Sequence, residues 1–190
     1  RDPLDLFFLT YSIFTDKELK LLFGFELDQK AEFHDKYLKG KVFEDDLQKL
    51  SYLDFIFYLG CHHMARSDRF TMTHSIEGRF PFLDHNLVEL AFSIPSHMKS
   101  TIFKTKTLLR KIAKRYIAPE NIKMKKKGFS LPIQKWMENE LLDFKKENLE
   151  KLITRDILSK SGIEYIIQTG DYRKIWHLVM TELWIQEYID

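Results

Sequence analysis

Apolar side chains return every three or four positions through most of the chain, and no stretch of any length alternates in the two-residue rhythm of a strand. The pattern predicts a mainly α protein. Thr15-Asp16-Lys17-Glu18 has the form of a capping box, with Phe14 and Leu19 placed as a hydrophobic staple, and the stripe Leu19, Leu22, Phe23 then stops at Gly24. Ahead of it, Leu4 to Ile13 is an apolar run whose unbroken Leu6 to Leu9 block suits a helix, although its period does not separate helix from strand. Residues 24–41 read as an irregular connection with a helical turn near Ala31 to Leu38. From Asp45 to Met64 the positions Leu47, Leu50, Leu53, Ile56, Phe57, Cys61 and Met64 predict a buried helix.

Farther along, Asp84 is placed to cap a helix bearing Leu87, Val88, Ala91 and Phe92 and stopped by Ile94-Pro95. A second stripe, Leu108, Leu109, Ile112, Ala113, Tyr116 and Ile117, has a basic outer face and ends at Ala118-Pro119. Lys123 to Phe129 carries too much like charge for an isolated helix and reads as a loop. Pro132 restarts the helical pattern, with Ile133, Trp136, Met137, Leu141 and Phe144 on one side. An amphipathic segment at Leu149 to Leu158, a break at Ser161-Gly162 and a short stretch Ile163 to Ile167 lead to a final helix. Its apolar positions run from Tyr172 through Ile175, Trp176, Val179, Met180, Leu183 and Trp184 to Tyr188.

With 190 residues and 44% hydrophobic content the chain is large enough to bury a core, and one domain over residues 1–190 is the expectation. Lys and Arg number 30 against 28 Asp and Glu, which argues against a general binder of nucleic acid or membrane surfaces, since both rely on excess basic charge. Cys61 is the one cysteine, so there is no intramolecular disulfide and no thiolate metal site. Its place in an apolar helical pattern predicts packing. No apolar run approaches the roughly 18–20 residues of a membrane span, and a cytoplasmic protein is expected. The sequence opens on Arg1 rather than Met, which suggests a piece of something longer.

The chemistry concentrates between Asp68 and Asp84. Pro81 fixes its own φ and biases Phe80 toward extended backbone, so Ile76 to Phe82 should run extended. Glu77 and Arg79 then share one side, while Ile76, Phe80 and Phe82 face the other way, where their burial would hold the carboxylate in place. An ordinary surface ion pair is the bland alternative. The seven glycines never come closer together than eight residues, so neither a Walker A loop nor a dinucleotide fingerprint can be assembled. Seven histidines suggest a metal, but His62 and His63 are adjacent, no H-E-x-x-H occurs and the rest are scattered. No metal site is expected.

Glu77-x-Arg79-x-Pro81-Phe82-Leu83-Asp84, preceded by Asp68-Arg69 and the stretch Met72 to Ser75, resembles the synthetase domain of the glutamine-dependent asparagine synthetase family, which reads D-R-x-S-M-A-H-S-x-E-x-R-x-P-F-L-D at this point. The likeness extends to Lys126-Lys127-Gly128-Phe129, with Pro132 and Trp136 behind it, and to the closing helix. It covers Ser51 to Asp190 well and the first fifty residues loosely. Gly78 and Phe80 depart from the family's usual Ala or Val and its usual Val.

The resemblance implies the helical C-terminal portion of an ATP-pyrophosphatase-type α/β synthetase domain. A parent enzyme of this kind adenylates a carboxylate, aspartate in the first instance, and transfers glutamine-derived ammonia to it. Glu77 matches the family's general base and Lys126 its catalytic lysine. Lys127 and Arg79 are expected to contact the nucleotide, Arg79 also orienting Glu77, and Asp68 and Arg69 to order the site or contact substrate. ATP and Mg2+ belong to the full-length parent, with none expected on this portion alone. The implied partners are the upstream ATP-binding and glutaminase parts of the parent chain and a small carboxylate substrate, with no nucleic acid or membrane, and self-association left open. Two alternatives stand beside this reading: the same chemistry on a sugar carboxylate in surface-polysaccharide synthesis, and a helical interaction module without activity.

Overall fold

In the computed structural model, residues 2–101, 104–124, 128 and 131–190 are described, without the side chain of Lys123. No strand forms among them, and the mainly α expectation holds. The helices are α1 (Pro3–Tyr11), α2 (Asp16–Phe23), α3 (Gln29–Tyr37) and α4 (Asp46–Leu53), a π-helix over Asp54–Met64, α5 (Ala65–Met72), a 3-10 turn over Pro81–Leu83, α6 (His85–Ser93), α7 (Ser96–Lys99), α8 (Thr107–Ala113), α9 (Pro119–Lys123), α10 (Ile133–Glu138), α11 (Leu142–Thr154), α12 (Lys160–Thr169) and α13 (Tyr172–Tyr188). Internal packing divides the chain into two units. One comprises Arg1–Leu9 with Gly40–Lys127, the other Thr10–Lys39 with Gly128–Asp190.

The second unit contains the larger core. Leu22 of α2, Leu149 and Leu152 of α11, Ile163 and Ile166 of α12, and Leu178, Val179 and Ile185 of α13 are buried together with Leu158. Burial of side chains this size is worth roughly 1.5–3 kcal/mol each, so this cluster dominates the unit's stability. The predicted local signals operate here. Thr15 closes the capping box: its hydroxyl accepts from Glu18 N at 3.3 Å and its own N–H donates to Glu18 Oε2 at 2.8 Å, while Gly24 ends α2 at φ 78°. Glu18 also accepts from Lys174 Nζ at 2.5 Å, joining α2 to α13.

Gly162 lies within α12, so the break expected at Ser161-Gly162 is replaced by a continuing helix. Its lack of a side chain serves a close approach instead: a Cβ there would fall 2.4 Å from the carbonyl oxygen of Leu21. Beside it Ser159 N donates to Leu22 O at 2.7 Å, fastening the two chain segments backbone to backbone. The helix predicted through Leu141 is interrupted between α10 and α11, and Leu141 falls in that turn. The turn expected at Ala31 to Leu38 is a full helix, α3, capped by Asp28 on Ala31 N at 3.1 Å and ending at Leu38.

The first unit buries less. Pro3, Leu4 and Phe7 of α1 and Leu53 of α4 are its buried apolar residues among those described, with Phe7 edge-on to Phe57 at 5.8 Å. Phe55 meets Phe92 of α6 edge-on at 5.7 Å. Asp45 caps α4 on Gln48 N at 2.7 Å and accepts from the buried Ser96 hydroxyl at 2.9 Å, tying α4 to α7. The helix predicted over Asp45 to Met64 changes pitch after Leu53, where the backbone opens into the wider π turn and continues through Ala65 into α5. That change moves the 3.6-residue stripe off one face. Phe57 and Cys61 emerge into solvent, Leu53 alone of the expected stripe is buried, and the expectations of a buried helix and of a packed Cys61 are both overturned.

Candidate functional site

α5 delivers the chain into the candidate site and its end is built as a Schellman turn. Ile76 N donates to Thr71 O at 3.1 Å and Ser75 N to Met72 O at 2.9 Å, the two bonds that close this kind of helix terminus. Ser75 occupies the left-handed position at φ 56°. Residues 76–80 then run without helix, Phe80 at φ −116° and ψ 98°, until Pro81 opens the 3-10 turn. Asp84 follows as the cap of α6, accepting from Asn86 N at 3.0 Å and Leu87 N at 3.2 Å, as its sequence context predicts.

Extended geometry places Glu77 and Arg79 on the same side, and their head groups meet in a two-pronged ion pair. Arg79 Nε donates to Glu77 Oε1 and its terminal nitrogen to Oε2, both at 3.2 Å. The pair stands in solvent, with the Glu77 side chain 71% and the Arg79 side chain 82% exposed. The opposite face does not supply the anticipated anchor. Ile76, Phe80 and Phe82 are exposed, Phe82 at 70%, because the extended run ends at Pro81 and their face lies open. What orients the carboxylate is the guanidinium, together with the backbone bonds at the end of α5.

Asp68 and Arg69 lie on exposed turns of α5, and no hydrogen bond joins either side chain to Glu77 or Arg79 among the described residues. Their backbone carbonyls are used, Asp68 O by the Thr71 hydroxyl at 3.1 Å and Arg69 O by the Thr73 hydroxyl at 2.8 Å. Lys126 and Lys127, the other expected site residues, lie outside the described residues. Gly78 sits close to the helix end: a Cβ on it would come 3.4 Å from the Phe80 ring and 3.5 Å from Thr71 Oγ1. Sequence reasoning singled out neither Thr71 nor Ser75. A serine in a left-handed turn carries no sequence signal comparable to glycine.

One face of the π-helix gathers rings. Tyr58 stacks on His62 at 5.8 Å, His62 and His63 meet edge-on at 5.2 Å, and Arg66 lies 3.1 Å from His63 Nδ1. Partial burial, with Arg66 and His63 nearby, holds the His62 imidazole below its ordinary pKa. Among the described residues no three His, Cys, Asp or Glu side chains gather as a metal-binding group, and no helix is long and apolar enough to cross a membrane.

Comparison with known proteins gives this geometry a family. Asparagine synthetase 1 (glutamine-hydrolyzing) of Bacillus subtilis is 28% identical over 145 residues, covering 73% of this chain and 23% of its own length. Asparagine synthetase 3 (glutamine-hydrolyzing) of the same organism is 28% identical over 159 residues, 74% of this chain and 25% of its own. The amidase chyE of Penicillium rubens is 28% identical over 101 residues, 50% of this chain and 14% of its own. The chain thus spans about a quarter or less of the length of these relatives. No solved structure matches it with comparable significance. The family model described as asparagine synthase matches residues 14–186, a span that takes in the Glu77–Arg79 turn and the core of the second unit, and the chain therefore belongs to the asparagine synthase family, within the ATP-pyrophosphatase-like superfamily.

Proposed function

We propose that this chain supplies part of the amide-forming centre of an ATP-dependent carbon–nitrogen ligase, which joins glutamine-derived ammonia to a carboxylate, aspartate in the first instance, to make asparagine. The reading is carried by one observation: in a member of this family, the Glu77 carboxylate is held from one side by Arg79 and remains open on the other.

As a nitrogen adds to an activated carboxyl carbon it must shed a proton, and a fixed carboxylate in reach is the group to take it. Each Glu77 oxygen keeps a lone pair beyond the one Arg79 uses, so the ion pair does not block that role. The guanidinium keeps the carboxylate oriented and adds positive charge where negative charge builds on the reacting oxygens. ATP, with Mg2+ on its phosphates, supplies the activation of the carboxylate. The described residues do not fit that group by themselves, since the glycines are too widely spaced for a phosphate cradle and no acidic cluster is gathered for the metal. We assign both to the upstream part of the parent, where a glutaminase part releases the ammonia. From this chain Lys126 and Lys127 contribute cations, Lys126 as the catalytic lysine and Lys127, with Arg79, toward the nucleotide. Asp68 and Arg69 take the lesser role of ordering the site.

The test is amide formation by the full-length parent carrying Glu77→Gln. A general base is worth roughly 10²–10⁴ in rate, so a loss of at least ~10² is expected, and near-normal turnover overturns the reading. The same assay should compare aspartate with uronic acids as the carboxylate, to separate asparagine formation from the same chemistry on a sugar carboxylate. Calorimetry on the 190-residue chain should find no tight ATP binding, and an affinity below ~1 μM would contradict the division between this chain and its parent.

A further inference from the structure

Between Phe70 and Phe82 the first unit displays apolar side chains that it does not cover. Phe70 is 69% exposed, Ile76 59% and Phe82 70%, and Met72 and Phe80 are exposed as well. The backbone that carries them is nevertheless fixed at both ends. Ser75 N and Ile76 N are bonded to Met72 O and Thr71 O at the end of α5, Leu83 N donates to Phe80 O at 2.8 Å across the 3-10 turn, and Asp84 caps α6. A chain held this way presents its side chains outward and cannot fold them back on itself. The entropy spent on ordering it is offset only where another surface buries them.

Charge and area say what kind of surface that is. The formal charges within residues 70–82 are Glu77 and Arg79, which are bonded to each other on the other side of the extended run. A cover over Ile76, Phe80 and Phe82 therefore strands no charge, and the face has the composition of the centre of a protein contact. Three rings of ~150–250 Å² each, with one methionine and one isoleucine, leave roughly 500–600 Å² open at these exposures, the upper end of what a monomer leaves bare. That is short of the ~800 Å² per partner of a stable complex between separate molecules. A surface on the same polypeptide needs less, because linkage holds it at an effective concentration of about millimolar. Such a surface is available, since the relatives of this chain extend far beyond the part it matches.

We infer that the face of residues 70–82 is where the upstream part of the parent chain docks, meeting it with an apolar, uncharged surface of its own. Glu77 and Arg79, on the other side of the run, then stand at the rim of the contact and stay accessible. The inference rests on the proposed division of the parent into this portion and an upstream part, and is independent of the chemistry assigned to Glu77.

The test uses the full-length parent. Hydroxyl-radical labelling read by mass spectrometry should oxidise Phe70, Met72 and Phe82 at least ~tenfold more slowly in the folded parent than in urea, since the centre of a packed contact excludes water. Labelling within about twofold of the unfolded rate, as for side chains left open, overturns the inference. So does protection that is lost on dilution, which marks a second copy as the cover. Photocrosslinking from Phe82→p-benzoylphenylalanine in the parent then identifies the docked surface, and cross-linked peptides from upstream of the matched residues are expected. Cross-links confined to these 190 residues, or a species of twice the parent's mass, overturn the inference. Should Phe82 not tolerate the replacement, the same one at Phe70 decides. An impaired Glu77→Gln parent with unprotected Phe82 removes the docking face and keeps the ligase reading, whereas protected Phe82 with unimpaired Glu77→Gln does the reverse.

Discussion

Arg155 Nε donates to Glu182 Oε2 at 2.7 Å, and the Glu182 side chain has no exposed surface. The same guanidinium reaches the Asp190 carboxylate with both terminal nitrogens, and Gln186 Nε2 donates to the other Glu182 oxygen at 2.7 Å. A buried carboxylate is tolerated because its charge is met. Removing Arg155 leaves that charge inside the second unit without its cation. Arg155→Leu is expected to lower the melting temperature by more than about 5 °C, and Arg155→Leu combined with Glu182→Leu to recover most of the loss. Equal melting temperatures for the single and double variants would show that Glu182 finds another partner.

Gly162 sets a second limit on this unit. A methyl group there would meet Leu21 O at 2.4 Å and the Leu22 Cα at 2.9 Å, backbone atoms that cannot rotate away. Either α12 moves off α2, with loss of the Ser159 N to Leu22 O bond, or the clash is absorbed as strain. Gly162→Ala should destabilise by about 1–3 kcal/mol in urea unfolding, despite alanine's better helix propensity. Gly128→Ala is the control, since a Cβ there meets none of the described residues within 4 Å.

These two contacts show which parts of the molecule the amino-acid pattern discloses. Thr15, Glu18, Gly24 and Asp84 act within their own turn of chain, so capping rules identify them without knowledge of what lies nearby. The helix α13 is legible but its buried face is only partly so: Val179 of the expected stripe is buried, whereas Met180, Trp184 and Tyr188 are exposed and the buried Leu178 and Ile185 lie outside that stripe. Gly162 reads as a break because its reason, the passage of α2, lies 140 residues away. The π pitch of residues 54–64 is invisible to a 3.6-residue template, and with it the exposure of Phe57 and Cys61. At the site, alternation located Glu77 and Arg79 on one side, whereas burial of Ile76, Phe80 and Phe82 depended on a covering surface that period alone cannot supply.

Acid stability should depend on Glu18. Burial alone would raise its pKa, but the Lys174 ammonium and the Thr15 N–H and hydroxyl outweigh that and hold the carboxyl below the usual glutamate range. A lowered folded-state pKa means the stabilisation is fully present above the unfolded value and is lost as pH falls through the folded one. The second unit should thus weaken as pH drops below the ordinary glutamate range, and Glu18→Gln should flatten that part of the stability profile while lowering stability at neutral pH. Urea midpoints measured from about pH 7 down to about pH 3 check this, and an unchanged acid slope in Glu18→Gln would assign the loss elsewhere, with Asp171 and Asp190, also lowered, as the next carboxylates to replace.

Arg79 separates stability from function. Both partners of the Glu77–Arg79 pair are largely in solvent, where an ion pair contributes little to folding, so Arg79→Ala should leave the melting temperature within about 2 °C of wild type. If the guanidinium orients the base, the same change in the full-length enzyme should lower amide formation by roughly tenfold or more. Arg79→Lys should recover little of it, because a single ammonium cannot reproduce the two parallel bonds to Oε1 and Oε2. Full activity in Arg79→Lys would reduce the role of residue 79 to charge alone, and full activity in Arg79→Ala would show that the guanidinium does not orient Glu77 for the reaction.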